Sequence, residues 1–140
     1  MKNTITTEWK GGMTFESNNP SGISVVMDTA IEGTDHRNGL SPKAMMLSSL
    51  AGCTGLDVVS VLDKMRVADY TFHMVVIGEL TDEHPKYYHK VELQYHFTGK
   101  DLDESKFQKA VDLSVNKYCG VMEMFRRFSD LTTAVHFYNA

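Results

Sequence analysis

The chain has 140 residues, 42% hydrophobic and 23% charged, with a formal net charge of −4 at pH 7; that is the size and composition of one globular domain with a real core. The acidic balance argues against nucleic acid or an anionic membrane as the main partner, because both are met by a basic footprint. Two cysteines are too few for a disulfide framework, so they are either inert core thiols or redox groups.

The opening stretch "MKNTITTEWKGG" has no apolar segment of the kind a secretory signal needs. The apolar run between Lys43 and Asp57 reads as too short to span a bilayer. A cytoplasmic protein, with neither membrane nor nucleic acid as partner, is the expectation. Short strands are predicted in "TITTEW" and "MTFES", on either side of a Lys10-Gly11-Gly12 turn, and in "ISVVMDT". Residues 30 to 40 read as a polar loop. Ser41-Pro42 then opens a helix, since serine can cap and proline suits the first helical position. It runs to about Arg66, roughly 37 Å at 1.5 Å per residue. Two long alternating strands, "YTFHMVVIGEL" and "KVELQYHF", follow. A second helix from Asp103 to about Tyr118 places Phe107, Ala110, Val111, Ser114, Val115 and Tyr118 on one face. Cys119-Gly120 interrupts it, "VMEMFRRF" adds a further helical turn or two, and "LTTAVHFY" is a final strand. The order specifies a single α+β domain over residues 1–140.

The long helix carries two glycines, each costing about 1 kcal/mol against alanine. Leu47, Leu50, Thr54, Val58, Val61 and Met65 form its core-facing stripe. Met45, Gly52, Leu56 and Val59 form a second apolar sector, with Ser48 and Gly55 beside it, so the helix is expected to be buried on two sides. A chain of this size has little left to cover both sides, which predicts a homodimer packed around the helix. The small residues would admit another backbone closely. The third stripe is Met46, Ser49, Cys53, Asp57, Ser60 and Lys64, which sets Cys53 on a semi-polar seam. A lone helical cysteine is usually an inert core thiol; the second one, in "KYCGV", argues for redox chemistry.

Two stretches carry a resemblance. "GLSPKAMMLSSLAGCTGLDVVSVLDKMR" resembles the central helix of the OsmC/Ohr family, the osmotically induced protein C and organic hydroperoxide resistance proteins. "AVDLSVNKYCGVMEMFRRFSDLTTAVHF" resembles that family's second-cysteine segment. The resemblance implies an intertwined homodimer, with long central helices packed on antiparallel sheets and active sites at the subunit interface. It implies a peroxidase that reduces organic hydroperoxides or hydrogen peroxide: Cys53 becomes a sulfenic acid, Cys119 resolves it, and an external dithiol restores both. No cofactor is implied. It also implies an activating arginine ahead of the helix, a position that Arg37 fills, with Arg126 and Arg127 as alternatives. The hydroperoxide resistance branch carries a glutamate after the helix-opening proline to orient that arginine; this chain has Lys43 there. Asp57, one turn after Cys53, opposes thiolate formation. The six histidines show no paired metal spacing, and no metal is expected. His96 reads as solvated surface, while Tyr118 and Phe125 are either pocket wall beside the thiols or plain core. A second class of function is a non-catalytic dimeric stress or binding protein that holds a small apolar ligand at the interface.

Overall fold

A computed structural model of the chain describes residues 1–29 and 38–140. It divides into two compact units, Met1–Met46 and Leu47–Ala140. The first holds a three-stranded antiparallel sheet of β1 (Thr7–Trp9), β2 (Phe15–Ser17) and β3 (Val25–Met27). These strands are shorter than predicted. The β1–β2 turn uses left-handed backbone at Gly11 and Gly12 (φ 101° and 55°), which glycine adopts without a Cβ penalty. Asp28 is buried here; a hydrogen bond from Thr14 Oγ1 (2.9 Å) holds its carboxyl below the usual range.

Helix α1 (Pro42–Lys64) starts at the predicted proline. It ends where Arg66 turns left-handed (φ 58°), with Arg66 N–H donating to the Asp63 carbonyl (2.9 Å) and Val67 N–H to that of Leu62 (3.0 Å). This pair of hydrogen bonds satisfies carbonyls that the last turn would otherwise leave open. By length and composition α1 could cross a membrane, against the expectation that its apolar run is too short. Leu50, Thr54, Gly55, Val58 and Leu62 are nevertheless buried within the protein.

The second unit packs α1 against a sheet of β4 (Tyr70–Leu80), β5 (Tyr88–Gly99) and β6 (Asp130–Asn139), in the order β4-β5-β6. Inward residues of β5, Val91, Leu93, Tyr95 and Phe97, are almost fully buried and face Phe107, Val111, Met122 and Phe125 of the later helices within one core. The α+β class stands as predicted, with one correction. β5 and β6 are parallel, so this sheet is mixed and not antiparallel throughout. The cause is the helical crossover between them: a connection containing helices can return the chain to the same sheet end, which a hairpin cannot.

Of the two glycines in α1, Gly55 lies closest to another element, the flexible end of the Met74 side chain. A Cβ there would meet Met74 Cε of β4 at 2.7 Å, whereas one on Gly52 would meet nothing within 4 Å. The predicted second apolar sector of α1 is uncovered: Leu56 is 75% exposed and Val59 44%.

Candidate functional site

The predicted second helix is α2 (Glu104–Leu113), followed without a break by a π-helical turn over Ser114–Tyr118. The wide turn closes when Cys119 N–H donates to the Ser114 carbonyl, five residues back, at 2.9 Å. Such turns insert one residue and re-aim the chain beyond them. Cys119 then leaves helical geometry (φ −76°, ψ 105°) and caps α3 (Gly120–Arg126), its Sγ accepting from Met122 N–H at 3.3 Å.

This local path brings the two cysteines together. Cys119 is buried and Cys53 half-buried, both as free thiols; Cys53 packs against the core cluster that holds Cys119 and is near enough to act on its thiol. Burial, more than any other cause, pushes the Cys119 thiol up to about 11; the Met122 N–H opposes this, while Cys53 and the Asp57 charge add to it. A proton is therefore held on Cys119 at neutral pH.

Beneath the thiols runs a buried chain of hydroxyls. Ser114 Oγ donates to Asp57 Oδ2 (3.1 Å) and lies 2.7 Å from Thr54 Oγ1, which in turn lies 2.7 Å from Tyr95 Oη. A carboxylate only accepts, so the donors run one way, Tyr95 to Thr54 to Ser114 to Asp57. Desolvation raises the Tyr95 phenol to about 12, with the Thr54 hydrogen bond opposing. Sequence reasoning placed Thr54 and Ser114 on apolar helix faces without giving them a role. The available signal was a hydroxyl at a core position on each of two helices, since buried hydroxyls require partners.

The other predicted residues fare differently. Arg37 lies outside the described residues. Arg126 pairs with Glu123 (3.1 Å) and donates to the Val115 carbonyl, and Arg127 pairs with the same glutamate (3.4 Å). Phe125 is core, beside Phe128, and Tyr118 is exposed. The histidines are less scattered than the sequence suggests: His73, His96 and His136 are in register across β4, β5 and β6. Their rings stack at 4.7 and 4.8 Å. His96 is pinned further by Tyr138 Oη at 2.8 Å and Gln94 Oε1 at 3.0 Å. Among the described residues, no group of three or more histidine, cysteine or carboxylate side chains could hold a metal ion.

A profile of the family described as OsmC-like protein matches residues 33–134, which include both cysteines. The chain belongs to the OsmC-like family. It is 33% identical over 125 residues to Protein YhfA of Escherichia coli (strain K12), spanning 89% of this chain and 90% of that one. Among solved structures, a hypothetical protein from Aquifex aeolicus superposes with a TM-score of 0.86 at 25% identity, over 100% of this chain and 98% of that one. The organic hydroperoxide resistance protein OhrB of Bacillus subtilis has the same fold at 18% identity, with a TM-score of 0.61 over 96% of this chain and 98% of that one.

Proposed function

We propose that this OsmC-like protein is a thiol peroxidase that reduces organic hydroperoxides, or hydrogen peroxide, through Cys53 and Cys119. The observation that carries the reading is that two cysteines far apart in the chain meet in the fold, Cys53 packing on the core that holds Cys119 and acting on its thiol. Membership of the OsmC-like family and a fold shared with the organic hydroperoxide resistance protein OhrB of Bacillus subtilis support it.

The chemistry runs in three steps. The Cys53 thiolate attacks one peroxide oxygen, the O–O bond breaks, and an alcohol (or water) leaves after protonation, with sulfenic acid on Cys53. The sulfur of Cys119 then attacks the sulfenic sulfur; its proton joins the expelled hydroxide as water, and a disulfide forms. An external dithiol reduces that disulfide by exchange and is itself oxidised. A cation beside a reactive cysteine favours its thiolate. Arg37 fills that role in this reading, and Lys43 replaces the glutamate that orients the arginine in the hydroperoxide resistance branch. The reducing interior of the cytoplasm suits a dithiol-restored enzyme.

The test is a titration of free thiols before and after stoichiometric cumene hydroperoxide. Wild type loses both thiols within the chain. Cys53→Ser consumes no peroxide, and Cys119→Ser stops at a trappable sulfenic acid. Thiols that survive excess peroxide would leave a dimeric binding protein in place of an enzyme.

A further inference from the structure

We propose that Ser114 is the positioning residue of the disulfide-forming step, fastening the second cysteine to the turn of α1 that carries the first. The proposal rests on the reading of Cys53 and Cys119 as a reacting pair, and its test does not require peroxide.

Ser114 is fully buried on a helix otherwise lined with apolar residues. Alanine would fill that space without a hydroxyl to satisfy. Instead its side chain reaches only α1: Thr54 Oγ1 at 2.7 Å, the Thr54 carbonyl at 3.4 Å and Asp57 Oδ2 at 3.1 Å. Those two residues stand one and four positions after Cys53 on the same helix. The main chain of Ser114 serves the other sulfur, its carbonyl accepting from Cys119 N–H at 2.9 Å to close the π turn. One residue thus ties both sulfur-bearing segments, by side chain to one and by backbone to the other. Tyr95, through Thr54, anchors the joint to β5.

The consequence is chemical. Ring closure between two thiols is fast in proportion to how well they are held, and a displacement of about 1 Å costs on the order of a hundredfold. In the closing step the S–S bond forms as the bond from Cys53 sulfur to its leaving group breaks, and the Cys119 proton departs with that group.

The experiment uses the full chain and a dipyridyl disulfide, which gives a coloured thiopyridone each time a protein sulfur displaces it. Cys53 attacks first and releases one equivalent, leaving a mixed disulfide. Cys119 then displaces the second equivalent and closes the ring. In Ser114→Ala the second release slows by about tenfold or more relative to the first. The equilibrium of the pair in a glutathione buffer shifts toward the dithiol by a similar factor, a shift that loss of general stability alone would not produce. Thr54→Val removes a partner of Ser114 with little change of shape, so it slows the second release as well and serves if Ser114→Ala fails to fold. Closure at the wild-type rate with an unshifted glutathione equilibrium in these variants overturns the proposal, as does a wild type that never gives the second release. Normal closure in a protein inert to peroxide removes the peroxidase reading alone.

Discussion

At Cys119 burial and the Asp57 carboxylate push in the same direction, and both keep the proton on sulfur up to about 11. In the proposed cycle, a resolving thiol held protonated in this way is protected from adventitious oxidation, since only the thiolate is a strong nucleophile, and is consumed when Cys53 offers it an electrophilic sulfur. The expected outcome is measurable in a Cys53→Ser background. Alkylation of Cys119 by iodoacetamide should be slow at neutral pH and climb with pH to an inflection above the ordinary thiol range. Asp57→Asn removes a negative charge that raises the thiol, so its inflection moves down; an unmoved inflection would contradict the assignment. The folded state holds this proton more tightly than the unfolded chain does, so its contribution to stability is complete at neutral pH and is lost as pH rises toward about 11. At this scale the two cysteines were legible in the sequence from type and context. Ser114 and Thr54 were visible only as hydroxyls at core positions, because their partners lie on other elements and no local spacing encodes such a pair.

Among the elements, the alternation of β4 and β5 and the periodicity of α1 and α2 fixed their type and approximate ends. The direction of β6 was not legible, because alternation is the same in parallel and antiparallel strands. The same limit hid the histidine row: His73, His96 and His136 meet only once register is set across three strands. Desolvation is the first cause lowering the His96 pKa, followed by the charges of His136 and His73. The groups that touch its ring nitrogens, Tyr138 Oη and Gln94 Oε1, are uncharged. A pKa lower in the folded state means that the unfolded chain binds the proton more readily, so stability falls as pH drops from 7 through the ordinary histidine range near 6.5. Thermal melts of wild type should shift downward between pH 7 and pH 5, and His96→Gln should shift less. Equal shifts in both would contradict the role given to the row.

For the whole molecule the uncovered face of α1 decides what is missing. Gly52, Leu56 and Val59 share that face; no Cβ contact would block Gly52, and Leu56 is 75% exposed. An exposed apolar helix face of this kind is a candidate interaction surface. A second copy of the chain is the occupant the family resemblance implies, and light scattering should give twice the 15.8 kDa of one chain. Leu56→Asp should return it to the mass of one; a wild type already at that mass refutes the dimer. The central claim remains the pairing of the two sulfurs, and the most direct measurement is peptide mapping by mass spectrometry after one equivalent of cumene hydroperoxide, without reductant. The account predicts a single disulfide-linked peptide pair containing Cys53 and Cys119, lighter than the free peptides by two hydrogens and absent from both Cys→Ser variants. Cys53 carried to sulfinic acid beside an intact, alkylatable Cys119 would contradict it.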